Sequence, residues 1–403
     1  MPLDPVHVDG IDSLARRIRD DYDDPDESGD VDQLWSFLDP LRDDGRAVLE
    51  PVGDLRRRAV SLQDIALIDD EFPSQHGVDA GTLNPRSFTN GLTVDVAHAA
   101  AASVPSDLDL HRRRTIVTAA QSPNHRVELP DDWLSFDDDA TDGRVVQAPR
   151  DTDNPREAVH VFALYLSEST HLGKTLDAAE DLVYIDGPLY PLALLRWLGV
   201  DPAFGRTDLT GEILSNYFGT YDDALEDSTP VVGFVKNPSS SRVVSRLRET
   251  DAPPVPWSDD AGFFRYFLST DANDLTFTNW FVSRLYTDQL FDVAPPEAPD
   301  DDYLPAVMYV HDPRHGTVHR AEAPYGFVRD DATREALTRQ TLKEVAVSRV
   351  PRAVARADSL ARVTPDQREG IVRRFEEAFD AVEETNYNRD RWGYVRSSTG
   401  LTL

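Results

Sequence analysis

The stretch EDLVYIDGPLYP, Glu180 to Pro191, constrains the fold more than any other part of the chain. Leu182, Val183, Tyr184 and Ile185 form a short apolar run, β-branched and aromatic in character and closed by Gly-Pro. Such a run reads as a buried strand. It delivers a carboxylate, Asp186, at its end. Burying that charge unpaired costs several kcal/mol, roughly, so the fold has to supply a metal, a basic group or a helix N-terminus beside it. Asp186 placed before the helical LYPLALLRWL is also where a cap would sit, a role worth about 1 kcal/mol.

The segments on either side place this strand in an α/β architecture. Residues from about Pro155 to Leu176 carry helical apolar periodicity and lead directly into it. HGVDAGT, SFTNGLTVDVAHAAAA and RRRTIVTAA read as three strands of an antiparallel meander, PVVGFV as a further strand after a helical stretch, and AVMYVHDPRHGTVHRAEAP as a hairpin. The order strands, helix, strand, helix, strand predicts a mixed sheet with flanking helices. DSLARRIRDDY and VDQLWSFLDPLRD suggest a helical arm over residues 1–60. The main domain then covers 61–403, with an aromatic, Pro- and Asp-bounded insertion near 251–302 and C-terminal helices from about 331.

The chain contains no cysteine, which leaves oxygen and imidazole groups to do any chemistry. Its 73 acidic residues outnumber 41 basic ones, for a net charge of −32, and three of the basic residues are lysines: Lys174, Lys236 and Lys343. An Asp-rich, Lys-poor surface fits a halophile that keeps molar salt inside the cell, where a Debye length of about 3 Å screens self-repulsion. At that salt the negative balance does not exclude a nucleic-acid partner, because phosphate affinity must come from local clusters. The N-terminus lacks a signal-peptide pattern and no stretch approaches about 18 apolar residues. A cytoplasmic protein without a membrane partner is expected.

Three carboxylates stand out: Asp79 in HGVDAGT, Glu168 in ALYLSEST and Asp186 in YIDGP. Val161, Leu164, Glu168 and Leu172 recur at helical steps, which sets Glu168 on the inward stripe, with Glu157 one step earlier in the first helical turn. Oxygen donors without thiolates suit Mg²⁺ or Mn²⁺. Such a site runs phosphodiester hydrolysis with two ions about 3.5–4 Å apart. The Asp-x-Gly of VDAGT also fits the first phosphate loop of an actin-like or sugar-kinase-like ATPase, although a downstream glycine-rich adenosine loop is missing. A non-catalytic scaffold docked on a translocase is the third reading.

GVDAGT, LSEST followed by DLVYIDGPLYPL, VVGFVKNPSSSR and VHRAEAP, in this order, resemble the NurA family of nucleases over roughly Gly77 to Ala357. The resemblance implies an RNase H-like core and a Mn²⁺-dependent nuclease acting on DNA ends in double-strand break repair. It also implies a homodimer working with a HerA-type hexameric ATPase. On it, Asp79 and Asp186 match metal-binding aspartates and Glu168 a helix glutamate. Asp186 is followed by Gly-Pro-Leu where the family has Gly-Ser-Leu. Lys236, kept just after a strand in a Lys-poor chain, is expected to meet a phosphate, and Arg320 either to contact DNA or to pair with Glu322. In SRVPRAVARADSLARV the family's C-terminal pattern places a metal-site histidine where this chain has Asp358. Asp358 is therefore expected to replace it as a fourth ligand.

Overall fold

The computed structural model describes residues 4–20, 31–126, 128–136, 140–269, 273–286, 290 and 301–384. At its centre lies β1 (Gln75–Thr82), with β2 (Thr93–Val104) antiparallel beside it and β3 (Arg114–Gln121) antiparallel to β2. On the other side of β1, β4 (Leu182–Asp186) runs parallel to it and β5 (Val231–Val235) parallel to β4. The resulting order, β3-β2-β1-β4-β5, is a mixed sheet, as the sequence predicts, and is compatible with an RNase H-like core. The expected hairpin is β6 (Pro305–Asp312) and β7 (Thr317–Pro324), and β7 extends the sheet from β5.

Two helices cover opposite faces of the central strands. The helix α1 (Pro155–Leu176) packs on β1, β2 and β3 and buries Val159, Phe162 and Leu166. It leads into β4 as anticipated, and α2 (Asp208–Asp227) packs on its outer side. After α3 (Asp331–Ser348), the short α4 (Arg352–Ala361) lies against β1 and β2, and α5 (Pro365–Phe379) follows it. Side chains alternate along a strand, so Gly77, Asp79 and Gly81 share the face that meets α4. Glycines at 77 and 81 are required there. A Cβ at Gly77 would lie 2.4 Å from the Ala353 carbonyl carbon, and one at Gly81 1.8 Å from the Ala361 oxygen.

The N-terminal region departs from the all-helical arm. Pro5–Asp20 is a helix and Val31–Leu38 a 3-10 helix, but Leu41–Asp43, Arg46–Pro51 and Arg57–Ser61 are strands. The cause is an Asp-Gly turn: Asp44 and Gly45 have φ of 46° and 83°, the left-handed conformations of a tight hairpin. Val48 and Leu49 are buried beyond it. Within the 251–302 segment, the strands Asp274–Thr278 and Phe281–Ser283 pair with β6 and with these N-terminal strands. The two regions therefore extend the same sheet. Among the described residues, no helix is long and apolar enough to cross a membrane.

Candidate metal centre

Asp79 sits on β1 between the two glycines that admit α4, and Asp186 at the end of the parallel neighbour β4, where Ile185 is in register with Val78. Asp358 enters from the middle of α4. Each of these three residues offers a carboxylate oxygen within 4.8 Å of the others. Strand pairing brings the first two together, and the close helix approach brings the third. Gly81 lies within β1, which continues to Thr82, and its role is to admit the helix.

The turn after Asp186 has an equally local reason. Gly187 has φ 138°, which L side chains rarely adopt, and the chain folds over Gly233, where a Cβ would lie 2.7 Å from the Leu189 nitrogen. The helix that follows, Leu192–Leu198, has Pro191 at its N-cap, so Asp186 does not cap it. Its partner is Lys236, whose Nζ lies 2.5 Å from Oδ2. Lys236 is the first residue after β5, and its carbonyl accepts the His319 Nδ1–H at 2.7 Å.

The centre carries more negative charge than its surroundings compensate. Burial first, then the charges of Asp186, Glu168 and Asp358, push the Asp79 carboxyl up to about 8, against the pull of Lys236. Burial also raises Asp186, although Lys236 opposes it through charge and hydrogen bond. Lys236 itself is raised: burial works against its charged form, but Asp186, Asp358 and Asp79 outweigh it. Asp358 is more open, with 41% of its side chain exposed and Arg362 at 3.3 Å.

Glu168 is buried, as the inward stripe predicts, and lies outside the three-carboxylate group. Tyr217 on α2 donates its hydroxyl to Glu168 Oε1 at 2.5 Å. Burial pushes the Glu168 carboxyl up to about 7, with Asp186 adding to the rise and the Tyr217 hydrogen bond opposing it. Sequence reasoning missed Tyr217: it lies 49 residues from Glu168, on another helix, with no local pattern joining the two.

Arg320 takes the second of its two expected roles. It is 5% exposed, its Nε lies 2.6 Å from Glu322 Oε1, and its Nη1 donates to Ser240 Oγ at 3.1 Å. Ser240 in turn donates to Asp260. Contact with DNA is thereby corrected: the guanidinium is sealed between β5 and β6 in the sheet and ties down the loop that follows Lys236. The nearby histidines also lie apart from the group, His160 on Asp95 and His171 on Thr115.

Three carboxylates converging from two parallel strands and a glycine-admitted helix give this α/β protein a candidate oxygen-donor site for a cation at the centre of its sheet. The donor set fits a hard divalent ion: all ligands are oxygens, and their mutual repulsion is what a cation relieves.

The sequence matches the model of the NurA domain over residues 73–363, and the chain belongs to that family. A search of curated proteins finds no match. Among solved structures, the NurA nuclease from Sulfolobus solfataricus is 13% identical, with a TM-score of 0.46 over 81% of this chain and 87% of that one. A NurA structure bound to dAMP and manganese is 9% identical, with a TM-score of 0.43 over 81% of this chain and 91% of that one. A further NurA structure is 8% identical, with a TM-score of 0.42 over 92% and 97%.

Proposed function

We propose that this protein is a metal-dependent deoxyribonuclease that processes DNA ends for double-strand break repair. The observation that carries the reading is the convergence of Asp79, Asp186 and Asp358 within 4.8 Å, with Lys236 as the basic group on Asp186. The three aspartates would hold Mn²⁺, the ion named for manganese-bound NurA structures, and Mg²⁺ meets the same preference for oxygen. A divalent ion there supplies charge stabilisation for phosphodiester hydrolysis and a more acidic water.

The chain's own residues divide the remaining work. Lys236, the basic group beside Asp186, would present its ammonium to a phosphate oxygen of the substrate. Glu168 has a carboxyl raised to about 7 and held by Tyr217, which suits it to take up a proton at neutral pH. A homodimer acting in the cytoplasm beside a HerA-type hexameric ATPase completes the proposal.

The test is release of acid-soluble nucleotides from linear DNA in high KCl, with and without Mn²⁺, alongside ATP hydrolysis. Wild type should release nucleotides only with the metal and leave ATP intact. Asp79→Asn and Asp186→Asn should each be inactive while remaining folded. Cleavage by both variants at the wild-type rate would remove the assignment of the centre.

A further inference from the structure

Beyond the metal centre, α5 borders an open surface cavity of about 430 Å³ beside the sheet, lined by Arg86, Arg368 and Arg373 together with Glu369, Glu376 and Glu383. The chemistry of this cavity is unbalanced in its donors. The buried Nε groups of Arg86 and Arg368 both lack a hydrogen-bond partner. Leaving such donors unsatisfied costs free energy, and an anion with several acceptor oxygens removes that cost. Two of the glutamates are already engaged: Glu383 pairs with Arg86 at 2.8 Å, and Glu376 accepts the Glu383 N–H at 2.9 Å. No hydrogen bond of the Arg368 guanidinium is formed among the described residues, whereas Arg86 keeps its Glu383 contact.

The lining balances three arginines against three glutamates, so the unpartnered Nε groups carry the case for an anion. Asp95, a buried acid, is taken by His160 at 2.8 Å and by the Val96 N–H. Burial and the like charge of Arg86 lower Arg368, against the pull of Asp95. In a chain of net charge −32, residues 362–377 are locally balanced, with Arg362, Arg368, Arg373 and Arg374 against Asp366, Glu369, Glu376 and Glu377.

The cavity also lies on a track from the metal centre. Asp79 is in register with Ala100, and Arg86 with Val94, six residues away along β2 and on the same face of the sheet. At about 3.3 Å per residue this is roughly 20 Å, or about six phosphates along one strand of B-form DNA. On the α4 side, Ala361 touches Gly81 and the chain then enters α5 directly.

The geometry points to a second phosphate site: the Arg86 and Arg368 cavity holds a backbone phosphate of the nucleic-acid strand whose scissile bond lies at Asp79, Asp186 and Asp358. This rests on the nuclease reading for its substrate, but its test does not require turnover.

The probe is a fluorescent single-stranded oligonucleotide of about 20 nucleotides, longer than the phosphate span above, bound in Ca²⁺ and followed by anisotropy across a KCl series. Arg368→Gln removes no hydrogen bond present in the fold and should weaken binding about tenfold, with the salt slope reduced by about one. Arg368→Lys should recover part of the affinity, since it restores charge without the planar fork. Wild-type affinity and slope in Arg368→Gln would overturn the proposal. Calorimetry with inorganic phosphate separates the sources: phosphate binding lost in Arg368→Gln, with oligonucleotide binding unchanged, assigns the cavity to free phosphate and also overturns it. In a parallel arm with Mn²⁺, a chromogenic phosphodiester too short to reach the cavity should be cleaved equally by wild type and Arg368→Gln. Failure of wild type to cleave either substrate would sink the nuclease reading, and the binding arm would still decide the site.

Discussion

The chain gathers acidic side chains in two places along α4, and the two are built in opposite ways. At the helix start, Glu344 is fully buried and Asp70 lies beside it. Arg352 donates its backbone N–H to Glu344 at 2.8 Å and its Nη2 at 2.7 Å, while Lys343 reaches Asp70 at 2.8 Å. Two carboxylates meet two cations. Burial works against the Asp70 charge, yet hydrogen bonds from Lys343 and Gln340 and the two positive charges hold its carboxyl below the usual range. Six residues after Arg352, Asp358 joins Asp79 and Asp186, and there two cations, Lys236 on Asp186 and the exposed Arg362 on Asp358, face three carboxylates. The carboxyls of Asp79 and Asp186 are raised. Buried acid with matched cations fixes a helix; buried acid in excess of its cations stores repulsion that a divalent ion relieves. The first region sets the position of the helix that completes the second.

The largest expected effect separates the two regions by what they lose. Asp79→Asn should abolish nuclease activity yet raise the stability of the metal-free protein at pH 8. The sign follows from the raised carboxyl: the folded state holds this proton more tightly than the unfolded chain, whose value is about 3.9. The group therefore stabilises the fold fully below about pH 4, and that contribution is lost as pH rises towards about 8. Metal-free wild type should lose Tm over this window more steeply than Asp79→Asn, as differential scanning fluorimetry with chelator would record. Equal slopes would mean that the cluster stores no repulsion.

Glu344→Ala should do the reverse, destabilising the protein by about 3–5 kcal/mol because it leaves Arg352 without its main partner. Arg352 is one-third exposed, so the lower end of that range applies. Denaturant unfolding at fixed KCl reads the loss. Activity at permissive temperature should fall through weaker Mn²⁺ binding and recover partly at high Mn²⁺. Full activity with unchanged Mn²⁺ affinity would uncouple the clamp from the centre.

How far these features were legible depended on the distance over which their causes act. The Asp186 strand, the helix before it and the meander around Asp79 are periodic in their own residues, and the apolar run ending in Asp-Gly-Pro pointed to a placed carboxylate. Gly81 was not legible as a spacer, since the atom that requires it belongs to Ala361, on a helix at the other end of the chain. Arg320 likewise alternates like any strand residue, and its burial is decided by neighbouring strands. The N-terminal strands could have been found from Asp44-Gly45, a local hairpin signal inside a segment whose helical spacing drew the reading.

A smaller effect tests the glycine contact that joins the two regions. Gly81→Ala places a Cβ 1.8 Å from the Ala361 oxygen, so α4 has to shift. Overpacking of this kind costs about 1–3 kcal/mol. Asp358 should move with the helix, weakening Mn²⁺ binding by about 10–100-fold if the displacement acts as the loss of a supporting contact does. Gly91→Ala, at a turn with φ 85° and open space around it, is the control for simple loss of a glycine and should leave Mn²⁺ affinity unchanged.

The smallest effect is expected at Lys236, and it sharpens the contrast most. In the clamp, removing a cation removes a tie; in the centre, removing the cation in contact with Asp186 vacates a position that a metal also seeks. Lys236→Ala should therefore bind Mn²⁺ at least as tightly as wild type, because an ammonium 2.5 Å from Asp186 no longer competes for that carboxylate. The same change should raise KM for DNA at the lowest salt the protein tolerates, with the difference shrinking as KCl rises and screening shortens to about 3 Å near 1 M. Mn²⁺ titration and salt-dependent kinetics on one preparation separate the two roles. Removing a lysine that only neutralises Asp186 would tighten Mn²⁺ binding and leave KM alone at every salt concentration; removing one that meets phosphate moves KM in proportion to the electrostatics left unscreened.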